Sequence, residues 1–158
     1  MTSNTPTLDS ISTSTARGVY HCHQWGNVWG NSVIEELKTV AALNAAQSAR
    51  LCLHPNTEDV HQEMLIVLSR AHRERPQRRK TGFDTKVVIE GRALLRYFGS
   101  DGQLSRLEKL GGPEILYVHT CTTEYHSLEV ESEFFVFLEI LKGPFDVSTT
   151  EFAPWQLE

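Results

Sequence analysis

Cysteine is scarce in this chain of 158 residues. Cys22, Cys52 and Cys121 are odd in number, widely spaced and contain no Cys-x-x-Cys, so the pattern argues against a disulfide framework and suits a reducing cytoplasm. Long apolar runs are missing too: none reaches the ~18 residues of a membrane span. Met1 to Thr15 is Ser- and Thr-rich and lacks the basic start and apolar stretch of a signal peptide. No repeat recurs at solenoid period. A large positive charge is also absent. The net charge of -5 argues against generic nucleic-acid binding.

What is present suits one domain, since a chain of this size buries roughly two-thirds of its unfolded surface without disulfides. The expectation is a disordered tail over residues 1–16, then one domain over 17–158. Charge is unevenly placed. Arg70, Arg73, Arg75, Arg78, Arg79 and Lys80 face only Glu74 in the same segment, a local charge of about +5 against about -10 elsewhere. That run is either a solvated loop or a cationic rim for an anionic ligand.

Val33, Ile34, Leu37, Val40, Ala41 and Ala45 recur at helical spacing, predicting one helix over about 32–47. Asn31 or Ser32 is the expected cap, with Glu35 and Glu36 in the first turn. Short apolar runs then predict strands: 19–23, 51–54, 64–68, 87–89, 93–98, 115–119, 126–130 and 134–141. Glu90-Gly91 and Ser100-Asp101-Gly102 read as turns. The fold class is mainly β, a barrel or sandwich with one N-terminal α-helix.

Several stretches, in order and nearly without gaps, resemble the WbuC family of small cupins. They are Ala49-Arg50-Leu51-Cys52-Leu53-His54-Pro55, Glu63-Met64-Leu65-Ile66, Ile89-Glu90-Gly91, Tyr125-His126-Ser127, Leu138-Glu139-Ile140 and Lys142-Gly143-Pro144-Phe145. The likeness extends over about residues 17 to 158, including Val19-Tyr20-His21 and the Phe-Ala-Pro-Trp stretch at 152–155. It implies a double-stranded β-helix, the cupin jelly-roll barrel, with a pocket at one mouth. In such proteins a His-x-His pair, a carboxylate and a third His hold a divalent Zn, Fe, Mn or Ni ion.

Here that ligand set is degenerate. Counting without a gap from Met64 to Gly91 puts Pro76 on the family's proline, Gln77 and Arg79 on the His-x-His positions and Asp84 on the carboxylate position. His126 keeps its identity. An amide oxygen is a weak ligand, and a guanidinium offers donors only. An Arg79–Asp84 pair beside His126 is the expected occupant.

Three functions follow as expectations. The first is a pocket for a small anionic metabolite with metal-free, isomerase-type acid/base chemistry, as in the nucleotide-sugar epimerases among cupin relatives. His126 would be the base, oriented by Asp84, with Tyr125, Tyr117 or Tyr97 supplying a proton. Gln77, Arg79, His54 and Tyr117 would bind the ligand, and Arg79 with Arg78 or Lys80 would take a carboxylate or phosphate. The second is an inactive assembly subunit, a homodimer using one face of Phe134-Phe135-Val136-Phe137, with Trp25, Trp29 and Trp155 nearby, weighed against burial of both faces of that strand within the jelly roll. The third is an altered metal enzyme on His126, Asp84 and Gln77, with His54 as a further ligand. His21-x-His23 is a separate candidate metal pair, weighed against ordinary half-buried strand histidines. Expected partners exclude nucleic acid and membrane. The family's association with polysaccharide biosynthesis identifies no substrate.

Overall fold

Strands that alternate apolar and polar residues must bury one face, and here two sheets bury theirs against each other. The computed structural model describes residues 6–23, 29–80, 82–113 and 115–155, without the Cys121 side chain. Its elements are α1 (Leu8–Ile11), β1 (Ser12–Ala16), β2 (Val19–Cys22), α2 (Asn31–Leu43), β3 (Ser48–Cys52), β4 (His61–Ser69), β5 (Gln77–Arg79), β6 (Phe83–Glu90), β7 (Arg92–Phe98), β8 (Leu104–Gly111), β9 (Tyr117–Cys121), β10 (Tyr125–Val130), β11 (Phe134–Lys142) and β12 (Thr150–Phe152). One sheet runs β1-β2-β3-β4-β11-β6-β9 and the other β12-β5-β10-β7-β8. Pairing is antiparallel apart from β2 with β3. Gly91 turns β6 into β7 at a φ of 85°, and a Cβ there would strike the Phe134 carbonyl.

Between the sheets, Met64, Ile66, Phe135 and Phe137 meet Leu95, Tyr97, Leu110 and Leu128. The outer face of the larger sheet buries Ala49, Leu51, Leu65, Val67 and Val136 under Val33, Ile34, Leu37 and Ala41 of α2. The strand 134–137 therefore has both faces covered within the chain, because Phe135 and Phe137 point inward and Phe134 and Val136 lie toward the helix. That covering occupies the surface expected to serve a dimer. Trp155 packs on Tyr125, Trp29 lies against the helix layer, and Trp25 falls outside the described residues.

The helix starts one residue earlier and ends sooner than its periodicity predicts. Gly30 is its N-cap, without a side-chain cap bond. Glu36 lies beyond the first turn and instead accepts the Leu8 N–H at 3.0 Å. The tail expectation does not hold over Leu8–Ala16. Leu8 and Ile11 are buried beside α2, and β1 extends the sheet beyond β2. None of the helices among the described residues is long and apolar enough to cross a membrane.

Candidate functional site

A cavity of about 470 Å³ lies between the sheets, in the range of small-molecule sites. Gln77, Arg79, Asp84, His126 and His54, five of the sequence-predicted residues, line it together. The strands explain why. On β10, His126 and Leu128 face inward, while Tyr125 takes the opposite parity. On β6, Asp84 and Lys86 share the inner face two residues apart. His126 stands opposite Gln77 in the β10–β5 register.

The charge at the centre belongs to a residue that sequence reasoning passed over. Lys86 Nζ lies 2.8 Å from Asp84 Oδ2 and 3.1 Å from Glu139 Oε1. The Lys86 and Asp84 side chains are each only 4% exposed. Burial alone would depress the ammonium, but Glu139 and Asp84 outweigh it and hold it above the usual lysine range. Lys86 is therefore a fixed cation inside the barrel. Asp84 Oδ1 is buried without a hydrogen-bond partner among the described residues. A third carboxyl enters from the segment before β5: Glu74 Oε2 accepts the Leu128 N–H at 2.6 Å, and Oε1 accepts from Gln77 Nε2 at 3.3 Å. Burial pushes the Glu74 carboxyl above the ordinary range, against the opposing influence of that N–H, His126 and Lys86.

The expected Arg79–Asp84 pair is replaced by Lys86–Asp84. Glu139 lies directly across from Lys86 in the β11–β6 register, so the lysine reaches both carboxylates on one sheet face. Arg79 instead sits over the Phe145 ring at 5.5 Å. Asp84, held by Lys86, is not the group that orients His126. His126 Nδ1 donates to the Glu124 carbonyl at 2.9 Å, which leaves the lone pair of the neutral ring on Nε2.

Two tyrosines lie elsewhere. Tyr125 donates its hydroxyl to Glu151 at 2.7 Å and packs against Trp155 on the outer side. Tyr117 is 59% exposed on β9. Tyr97 is buried, with its ring 6.2 Å from the His126 ring.

The rim is cationic. Arg78 is neutralised by Glu151 at 3.0 Å. Arg75 donates to the Ala153 carbonyl, and Arg73 to the Arg70 and His72 carbonyls. Among the described residues, Arg50, Arg73, Arg75 and Arg79 line the cavity with no carboxylate paired to them. Arg50 was not a sequence candidate, since its neighbours there are apolar.

At the positions where the sequence resemblance places a metal, the donors do not fit a divalent ion. Arg79 carries only donors, and Asp84 is held by an ammonium. Elsewhere in the cavity, His21, Cys52 and His54 place ligand atoms within 4.8 Å of one another. The predicted His21-x-His23 pair does not form a common face toward an ion: His23 Nε2 is bonded to Thr13 Oγ1 at 2.8 Å at the exposed strand end.

No family model matches this sequence, and no curated protein matches it. Solved structures do match its fold. Oxalate oxidase in complex with the substrate analogue glycolate aligns at a TM-score of 0.54 and 12% identity, over 70% of this chain and 57% of that one. Protein SO0799 from Shewanella oneidensis aligns at 0.52 and 11%, over 60% and 63%. The capsular polysaccharide assembling protein CapF from Staphylococcus aureus aligns at 0.54 and 15%, over 66% and 29%. This chain thus spans less than two-thirds of each of these proteins. They are cupin-fold proteins, and at these identities the likeness shows the cupin fold alone.

Proposed function

We propose that this chain is a WbuC-like cupin protein that binds a small anionic metabolite in the cavity between its sheets and exchanges a proton with it through His126. The observation that carries the reading is the set of guanidinium groups, Arg50 and Arg79 foremost, that line the cavity without carboxylate partners. Unpaired arginines beside a pocket of this volume favour a carboxylate or phosphate as the ligand's anchor. In oxalate oxidase the same fold holds glycolate, a small carboxylate.

Behind the anchor, the interior suits proton abstraction next to a carbonyl, an isomerase-type step. His126 Nε2 accepts the proton, with its ring held by the Glu124 carbonyl. Lys86 stays protonated and stabilises the negative charge that develops. Asp84 Oδ1 is available to accept from a ligand hydroxyl. A cytoplasmic location belongs to the same reading and agrees with Cys52 carrying no disulfide.

The test is calorimetric titration with a panel of small carboxylates and phosphate monoesters, followed by deuterium uptake from D2O into any compound that binds. A charge-assisted bond contributes about 1.5–3 kcal/mol, so Arg79→Gln should weaken binding roughly ten- to hundredfold. His126→Asn should abolish deuterium uptake. Binding that is absent, or unchanged in both Arg79→Gln and Arg50→Gln, would sink the reading.

A second reading, a homodimeric assembly subunit, has its own observation. Leu104 and Leu107 on β8, Leu116, and Tyr117 on β9 are exposed apolar residues near the sheet edges. Sedimentation equilibrium of wild type and Leu107→Glu separates it from a monomeric binder.

A further inference from the structure

One register row crosses the inner face of the larger sheet. His21 pairs with Cys52, Cys52 with Met64, Met64 with Glu139, and Glu139 with Lys86. Adjacent strands lie about 4.8 Å apart, so Cys52 and Lys86 are separated by about 14 Å, with Met64 between. The row therefore holds two chemically different groups: the Lys86 ion cluster, and a nitrogen–sulfur cluster at the β2–β3 side.

The second cluster is built from backbone geometry. His21 and Cys52 are direct partners in the parallel β2–β3 pair. His54 follows Cys52 by two residues, which returns it to the same face, and the Leu53 N–H to Glu63 carbonyl bond continues the pairing past the strand end. The His21 and His54 rings meet edge to face with centroids 5.7 Å apart.

We propose that His21, Cys52 and His54 form a site for a zinc-class divalent transition metal, with a fourth coordination position open to the cavity. Two imidazoles and a thiolate are ligands of this class, and three protein ligands leave one position for water or a bound molecule. Zn–N bonds of about 2.0 Å and Zn–S bonds of about 2.3 Å need tetrahedral donor separations of about 3.5 Å. The donors already lie within 4.8 Å, so an adjustment of about 1 Å closes the set.

Two further observations point to an ion. His21 Nδ1 is buried with no hydrogen-bond partner among the described residues, a cost that a metal bond removes. His54 is anchored through Nδ1 at 3.0 Å to the Glu63 main chain, which leaves Nε2 as its ligand atom, held as outer-shell contacts hold ligating histidines. Cys52 is buried, and an ion binding there must displace its thiol proton. The site is independent of the anion-binding reading above and of the degenerate family motif.

The experiment uses the full chain freed of metal, with Co2+ as a spectroscopic probe and Zn2+ as competitor. One equivalent of Co2+ should give a thiolate-to-cobalt charge-transfer band and the intense visible bands of four-coordinate cobalt, both displaced by Zn2+. Cys52→Ser should remove the charge-transfer band, and both Cys52→Ser and His21→Ala should weaken Zn2+ at least about tenfold. His23→Ala, at the exposed strand end, should leave both unchanged. Circular dichroism checks each variant; should Cys52→Ser fail to fold, the partly exposed His21→Ala carries the test. A six-coordinate cobalt spectrum without the thiolate band, the absence of binding, or Zn2+ affinity unchanged in folded variants would overturn the proposal. So would Zn2+ binding lost in His126→Ala but kept in Cys52→Ser.

Discussion

Lys86→Met removes the cation that two inward-facing carboxylates share. Asp84 lies 2.8 Å and Glu139 3.1 Å from Nζ, and the methionine keeps the lysine's volume while losing its charge. Breaking a buried ion pair by removing one partner costs about 3–5 kcal/mol, because the remaining charge is stranded. For a domain of this size each kcal/mol lowers Tm by about 2–4 °C, so Tm should fall by roughly 6–20 °C at pH 7. The pH dependence has a definite sign. The folded pKa of Lys86 is raised, so its contribution is complete below the unfolded lysine value of 10.5 and is lost as pH rises through the folded value. Wild type keeps this contribution throughout the acid-to-neutral range. In the variant, protonating a stranded carboxylate removes a buried charge, so the deficit should shrink on going from pH 8 to pH 5. Adding Asp84→Asn and Glu139→Gln should recover most of the loss. Urea denaturation at both pH values measures it. A loss below about 1 kcal/mol, or an equal loss at both pH values, would refute the assignment of Lys86 as the barrel's internal cation.

Other outcomes follow from single contacts. Leu37→Ala, at a fully buried position of α2, should cost about 2–5 kcal/mol by thermal or urea unfolding; a cost under 1 kcal/mol would mean that α2 does not seal the outer face. Tyr125→Phe removes the hydroxyl bond to Glu151, an exposed partner, so stability should change by under about 1 kcal/mol and anion binding not at all; a tenfold loss of binding would return Tyr125 to the site. In metal-free protein, alkylation of Cys52 followed by peptide mass spectrometry should keep accelerating until about pH 11, and a plateau near pH 9 would contradict the burial of that thiol. Because this folded pKa is raised, its stabilising contribution is complete below the unfolded value of 9.0 and disappears as pH climbs through about 11.

The helix and eight of the strands were legible because their apolar residues face a core at period 3.6 or 2. The strands β1, β5, β8 and β12 carry Ser-Thr-Ser-Thr-Ala, Gln-Arg-Arg, Leu-Ser-Arg-Leu-Glu-Lys-Leu-Gly and Thr-Glu-Phe. They bury little, and neighbouring strands rather than their own pattern define them. Within the site, the placement of Asp84 and His126 on one cavity was readable from the family-like spacing. Lys86 left a signal that went unused: it follows Asp84 by two residues in a strand, on the same face. Glu139, a carboxylate within an apolar run, was the second signal, but its pairing with Lys86 depends on a register across 53 positions. The outward parity of Tyr125 follows from an inward His126. The meeting of His21 with Cys52 does not follow from local pattern, because nothing in either segment specifies that β2 and β3 pair in parallel.

The central claim is a cavity that holds an anion against Arg50 and Arg79 and beside His126. NMR of the His126 imidazole during titration with inorganic phosphate and with succinate tests it most directly. The account predicts a saturable shift of the His126 signals with at least one of these probes, weakened at least about tenfold in Arg79→Gln and lost in the Arg50→Gln/Arg79→Gln double variant. His126 signals that stay still with both probes, or that respond equally in the double variant, would contradict it.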